Sequence, residues 1–575
     1  KVKWGLVRTS PTPSASSTPA THQPSGSDFD LVCSPVTMTL EFYPSGSGSV
    51  RLAWGYDGRK QRLAKEMTMA RATKHKRKPK PRPKPTAKTE VKAAAPKAKE
   101  MSAKTMGFLL DGRWLAEGEP IEVRSPADGS LAGSTYRAGP EHVEAAIQAA
   151  VRAFAETRRM PTYERERILR QVAAGIEARR EEFAHLMALE AGKPIKSARV
   201  EVDRAIFTWN VAAEEAARIG GEWLALDRQP AAAGRWGLVR RFPIGPISAI
   251  TPFNFPLNLV SHKWAPAIAA GCTVVHKPAP QTPLSALMLA ALVADAGWPA
   301  GALNVMEVSH TDAEPLVTDE RLKLLTFTGS GTVGWELKRK AGRKRVALEL
   351  GGNAGVVIHS DADLAYAAER SVAGGFSYSG QSCISVQRMY VHRSVEEKFL
   401  AEFLPRVRAL KLGNPLDETT DVGPMISKEA ARRAEEWIEE AIASGARLLA
   451  GGKRRGAFLE PAVLTGTQSL MRVSCEEVFA PMVLVEAYDD FEEALDRVND
   501  SRYGLQAGLF TSDARRIFTA YERLEVGGVI AGDIPTWRMD HMPYGGIKES
   551  GVGREGLRSA IEEMTEPKLL VMNLR

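Results

Sequence analysis

An α/β fold built on a parallel sheet and divided into at least two domains is what this sequence predicts. Three observations carry that expectation. Short β-rich runs alternate with stretches whose apolar residues recur every three or four positions, the order that lays helices over parallel strands. At 575 residues the chain exceeds the size at which one hydrophobic core keeps growing. A strand-like run near position 330 passes through a glycine-rich turn directly into a helical pattern.

Composition narrows the function classes. With 44% hydrophobic and 25% charged residues the chain is ordinary globular protein, and its formal charge of +8 suggests a basic one. That charge is local. Twelve Lys or Arg against two Glu lie between Arg71 and Glu100, a net of +10, which leaves the other 545 residues near −2. Nucleic acid is therefore not an expected partner of the folded body, only of a basic arm. The four cysteines, Cys33, Cys272, Cys383 and Cys475, form no CxxC pair and no disulfide framework, so no metal is expected and a reducing, cytoplasmic setting fits. Apolar stretches such as Trp264 to Val275 fall short of the roughly 18 to 20 residues that span a bilayer. No secretory signal pattern opens the chain.

Taken in order, residues 1–105 begin Ser/Pro/Thr/Gly-rich and reach the Lys/Pro tract His75 to Pro85, where like charges repel and proline removes backbone donors. This extension is expected to be disordered. It reads as a solvated tail, with a polyanion-binding arm as the alternative; Met101 and Met106 are both candidate starts. From Gly107 the texture becomes regular. Glu141 to Ala155 and Thr162 to Glu190 are amphipathic helices by their spacing. Ile247 to Thr251 reads as a strand, Ser261 to Ala270 as a helix, Cys272 to His276 as a strand and Leu284 to Ala296 as a helix. Leu322 to Phe327 and Arg345 to Leu350 continue the series. Near the end, Leu569-Leu570-Val571-Met572 is a short apolar strand.

The run Leu324 to Gly334 contains Gly329-Ser330-Gly331-Thr332-Val333-Gly334 between a strand and a helix. Glycines there let backbone approach a phosphate, and the helix N-terminus offers it free N–H groups. In a chain of 49 glycines the bare match is weak, and the flanking strand and helix strengthen it. A dinucleotide fingerprint calls for an acidic residue about 20 positions on. By spacing alone Glu349 would be that ribose ligand.

Other segments point elsewhere for Glu349. It opens Glu349-Leu350-Gly351-Gly352-Asn353, and Gly380-Gln381-Ser382-Cys383 follows. Upstream stands Ile250-Thr251-Pro252-Phe253-Asn254-Phe255-Pro256, then Lys277-Pro278-Ala279; downstream stand Glu476-Glu477-Val478-Phe479-Ala480-Pro481, Pro543-Tyr544-Gly545-Gly546-Ile547-Lys548 and Ser550 to Gly556. In this order, across about residues 106–575, they resemble the aldehyde dehydrogenase superfamily.

The resemblance implies a Rossmann-like NAD(P)-binding domain over 106–225 and 244–350, a catalytic α/β domain over 351–564, and a small β oligomerisation element from 226–243 and 565–575. The last implies a homodimer or homotetramer. It also implies roles. Cys383 would add to a small aldehyde, because a carbonyl carbon yields hydride only once it carries a tetrahedral oxyanion. Asn254 and the Cys383 N–H would hold that oxyanion, and Glu349 would activate the water that cleaves the resulting thioester. NAD or NADP would lie against Pro252, Phe253, Lys277, Ala279, Pro280, Gly329, Ser330, Val333, Leu350, Gly351, Glu477 and Phe479. The plain alternatives are a turn-capping role for Asn254 and a helix-start carboxylate for Glu477. Cys33, Cys272 and Cys475 read as small buried hydrophobes.

Two departures bear on the cofactor. Pro280 stands where many NAD-preferring members carry a Glu that repels a 2′-phosphate, and Val305 to His310 replaces a common glycine-rich turn. The phrases Asn254 to Val260, Lys277 to Pro283 and Arg538 to Tyr544 look most like the lactaldehyde dehydrogenase branch. Arg538 or His541 would either bind a substrate hydroxyl or carboxylate, or pair with Asp533 or Asp540. Ser382 beside the nucleophile supplies no cation. Rival functions are a CoA-acylating dehydrogenase, a non-redox esterase and a polyanion-binding protein acting through the tail. The Glu349 position favours water over CoA, and a chain starting at Met106 that keeps activity would exclude the tail.

Overall fold

Five parallel strands form the centre of the first sheet, in the spatial order Leu303–Val305, Val274–Lys277, Ile247–Ile250, Leu324–Thr328 and Arg345–Glu349. The first four are short, largely apolar runs, almost all buried, as expected of strands covered on both faces, whereas Arg345–Glu349 is fully buried only at Leu348 and Glu349. The computed structural model describes residues 105–574. The extension read as disordered over 1–105, with its Lys/Pro tract and Cys33, lies outside the described residues apart from Thr105, which bridges to Ser134.

From Ile247–Ile250 the chain winds outward through Val274–Lys277 and Leu303–Val305, then returns to Leu324–Thr328 on the other side. The strand order therefore reverses between Ile247–Ile250 and Leu324–Thr328, and the loops beyond their carboxyl ends leave a crevice there. Those loops begin at Thr251 and Gly329, the two segments singled out from the sequence.

The helix Asn258–Ala270 crosses between the first two of these strands and is buried on every face. The side chains of Asn258, Ser261, His262 and Lys263 are all paired, while the Trp264 indole N–H has no partner. Glu201, on the 23-residue helix Ile195–Ala217, reaches across to accept hydrogen bonds from the Leu257 and Asn258 N–H groups at 3.0 Å, supplying the cap that the local sequence lacks. Ala198, Val202, Ala205, Trp209, Ala212 and Ala216 line the buried stripe of that same helix.

The second sheet runs Arg447–Ala450, Ala462–Thr465, Met482–Tyr488, Val386–His392, Ala354–Ile358, Gln506–Phe510 and Gly528–Ala531, parallel except for the first strand. The antiparallel pair Gly551–Val552 then crosses back to the edge of the first sheet beside Arg345–Glu349. A separate three-stranded antiparallel sheet joins Gly221–Ala225, Arg235–Pro243 and Thr565–Asn573. Its first strand thus lies before residue 226, inside the segment assigned to the cofactor domain. The β-rich Gly221–Ala225 pairs residue for residue with Arg240 to Trp236, and Gly234 makes the intervening turn possible at φ +77°. Among the described residues no helix is long and apolar enough to cross a membrane.

Candidate active site

A cavity of about 870 Å³ opens where segments following strands of the first sheet meet segments leading into strands of the second. Pro252, Phe253, Asn254, Gly329, Ser330, Glu349, Leu350, Gly351, Cys383, Glu477 and Phe479 all line it. These residues, up to 227 positions apart in the chain, are gathered there by the two switch-point loops, the end of Arg345–Glu349 and the approaches to Val386–His392 and Met482–Tyr488. Lys277, Ala279, Pro280 and Val333 are not among its lining. Lys277 ends the neighbouring strand, and Val333 sits exposed on the helix Gly331–Lys340.

Cys383 is only partly buried and sits past a strained turn. Tyr378 and Ser379 take φ +49° and +56°, and Gly380 follows at φ +67°. A Cβ on Gly380 would fall 2.1 Å from the Ala480 carbonyl oxygen, so only glycine fits. The Cys383 sulfur lies 3.0 Å from the Tyr544 hydroxyl. Burial pushes its thiol up to about 12, against the opposing effect of that hydrogen bond. Tyr544 was quoted from the sequence only as part of a motif, and nothing in its neighbours marks it as a partner of a cysteine 161 residues away.

Asn254 donates from Nδ2 to the Gln381 carbonyl at 3.1 Å, while its Oδ1 is buried without a partner. An amide nitrogen carries two hydrogens, so one remains to meet an oxyanion. The side chain caps no turn before Pro256. The Cys383 N–H has no backbone acceptor among the described residues. Glu349 is buried, with Oε2 unpartnered. Burial, and then the charge of Glu555, hold its carboxyl well above the usual range, partly offset by Lys263, Arg538 and Arg554. A carboxyl that is desolvated, unbonded and inside the cavity suits proton transfer better than permanent ribose chelation.

Three arginines line the same cavity, Arg204, Arg433 and Arg538, and Arg433 donates to the Val478 carbonyl at 3.1 Å. Arg204, from the helix Ile195–Ala217, holds Asp540 through two hydrogen bonds of 3.0 and 2.7 Å. Arg538 donates to Glu555 at 3.1 Å, lies 3.9 Å from Asp540 and stacks 3.7 Å above the Tyr544 ring. Arg538 is thus paired, with Asp540 as one neighbour and Glu555 as its hydrogen-bond partner, and its side chain also lines the cavity. Asp533 instead binds Arg370, and His541 packs edge-on against Phe207 away from the cavity. Arg204 leaves no signal in the sequence because it is one of two arginines on a helix with a mixed polar face.

The cofactor-side residues fit a dinucleotide. Ser330 caps Gly331–Lys340 without a side-chain hydrogen bond, so the first helical N–H groups stay free, and the buried Thr328 hydroxyl beside them is unpartnered. Glu477 is not at a helix start. It accepts from the Gly352 N–H at 3.0 Å, and burial raises its carboxyl to about 7. Phe479 takes φ +54° and meets Phe253 edge to face at 6.0 Å. The region after Val305 is a short strand, Glu307–Val308, whose buried Glu307 pairs with Arg137 at 3.0 Å and is the carboxylate acting on Lys277. Cys272 is buried as expected, whereas Cys475 is partly exposed because the helix Arg472–Cys475 ends at the surface. Among the described residues no His, Cys, Asp or Glu cluster is arranged to hold a metal ion.

The comparisons with known proteins agree with this geometry. The chain is 44% identical over 472 residues to the 3-sulfolactaldehyde dehydrogenase of Priestia megaterium, covering 82% of this chain and 98% of that one. It is 38% identical over 472 residues to the lactaldehyde dehydrogenase of Methanocaldococcus jannaschii, covering 81% and 100%. The crystal structure of aldehyde dehydrogenase 21 from Physcomitrella patens, in complex with the reaction product succinate, superposes with a TM-score of 0.81 at 45% identity, covering 82% of this chain and 99% of that one. The pattern of the aldehyde dehydrogenase family matches residues 114–570, and the chain belongs to that family.

Proposed function

We propose that the enzyme oxidises a small anionic aldehyde to its carboxylate through a thioester on Cys383. The observation that carries this reading is the single cavity holding Cys383, Glu349 and, among its guanidinium groups, those of Arg204 and Arg538. The Cys383 thiolate attacks the aldehyde carbon, and the carbonyl oxygen becomes an oxyanion between the Asn254 amide and the Cys383 N–H. When bound, NAD(P) would supply the acceptor for the hydride that leaves as this adduct becomes a thioester. Gly329, Ser330 and the helix start would hold its phosphates, with Glu477, Leu350, Gly351, Pro252, Phe253 and Phe479 around its other end. Lys277, Ala279, Pro280 and Val333 would flank the outer part. Glu349 then takes a proton from water as the water oxygen attacks the thioester carbon, and the C–S bond breaks to return the thiolate. A thiol nucleophile needs a reducing compartment, and the cytoplasm is the proposed setting.

Arg204 and Arg538 supply the cation that Ser382 does not. The relatives named for sulfolactaldehyde and succinate act on or release compounds with an acidic tail, which supports a carboxylate or sulfonate at this end. Formation of reduced nicotinamide should be followed with NAD and NADP separately against succinic semialdehyde, lactaldehyde and propanal. The anionic aldehyde should give the highest kcat/KM. Arg204→Leu should lower that value by about 10- to 100-fold, the worth of one charged hydrogen bond, while changing propanal little. Equal losses on both substrates would refute the anion-binding role.

A further inference from the structure

We infer that Tyr544 is a catalytic residue, the phenol that holds the Cys383 sulfur as a thiolate both when it attacks and when it leaves. The inference rests on the reading of Cys383 as nucleophile. Its basis is geometric. The Tyr544 hydroxyl lies 3.0 Å from Sγ, and this is the hydrogen bond that the Cys383 side chain makes among the described residues. Neither side chain can drift. Tyr544 is buried, with its ring beneath the Arg538 guanidinium at 3.7 Å and its backbone N–H donating to the Glu555 carbonyl at 3.0 Å, while Arg538 is itself held by Glu555.

The charged and titratable groups acting on the sulfur are Tyr544, Glu477, Arg538 and Glu349. Two of them, Glu477 and Glu349, are carboxyls that oppose a thiolate when ionised. Arg538 favours it, but makes no hydrogen bond to the sulfur, its Nη2 donating to Glu555 and its Nε having no partner, so Tyr544 is the donor in contact with sulfur. A phenol is suited to this place. It donates to S⁻ without adding a charge that would compete for an anionic substrate, and being a much weaker acid than the oxidised product it keeps its proton. In the first half-reaction the phenol hydrogen bond stabilises the sulfur lone pair that forms the C–S bond. In the second, the electron pair of that bond returns to sulfur as it breaks, and the same O–H receives it. The proton from water goes to Glu349, so Tyr544 ends each cycle as it began.

The test is the rate at which iodoacetamide labels Cys383, read by peptide mass spectrometry over a pH series, in the full-length enzyme and in Tyr544→Phe. The Phe variant keeps the ring under Arg538 and removes only the donor. The labelling midpoint should rise by about one pH unit or more, so labelling below both midpoints should slow by at least about tenfold. Replacing Tyr544 by meta-fluorotyrosine, the stronger donor, should move the midpoint down, a shift that a merely structural role would not produce. Coincident profiles for wild type and Tyr544→Phe would overturn the inference. If fully labelled Cys383 still supports turnover, it is the nucleophile assignment that fails instead.

Discussion

Glu349 shows how much a single side chain's surroundings decide. Its spacing from the glycine-rich turn marks it as a ribose ligand, yet the fold buries it in the reaction cavity with one oxygen unbonded. A base must be ionised to accept a proton, and burial together with Glu555 raises this carboxyl. At pH below that raised value Glu349 is protonated and cannot accept; activity therefore rises with pH as the group ionises. The lower limb of kcat against pH should accordingly lie above the usual carboxylate range, and lowering the charge at Glu555 should move it down. A limb at ordinary carboxylate pH would contradict the burial argument. Cys383, Asn254 and Glu349 were legible in the sequence because each sits in a distinctive local run. Arg204 and Tyr544 were not, since what defines them is a partner 336 or 161 residues away.

At the level of elements, the legible part was the alternation of strand and helix. The runs near 247, 274, 324 and 345 each formed strands within a few residues of their expected ends, because apolar strands buried on both faces leave a strong pattern. Short pairings left none. Gly551–Val552 joins the first sheet with only two residues, and Gly221–Ala225 was absorbed into the preceding segment. Ahead of Cys383 the sequence marks only Gly380, while the consecutive left-handed residues Tyr378 and Ser379 leave no signal, since neither type favours that backbone. This turn sets the nucleophile's position. Gly380→Ala should destabilise the enzyme by roughly 1–3 kcal/mol from backbone conformation alone, and more through the contact with the Ala480 carbonyl. A lowered Tm with a fall in turnover is the expected result, and an unchanged Tm would show that the turn relaxes freely.

For the whole molecule, the three-stranded sheet presents apolar residues that the described chain does not cover. Leu569, Leu570 and Val571 on the last strand, with Trp223 and Trp236 on the other two, are each between 44% and 56% exposed. We propose that a second copy covers this sheet, giving the homodimer or homotetramer implied by the family. Leu570→Asp should then lower the mass in light scattering to that of a monomer, and an unaltered mass would place the interface elsewhere. If Glu349 serves only the hydrolytic water, acylation of Cys383 outlives the loss of the base. The most direct measurement is rapid mixing of Glu349→Gln with succinic semialdehyde and the preferred nicotinamide cofactor. The expected result is a burst of reduced cofactor stoichiometric with sites, little turnover afterwards, and an acyl adduct on the Cys383 peptide. Steady turnover with no burst, and with only the KM for cofactor raised, would contradict it and return Glu349 to the ribose.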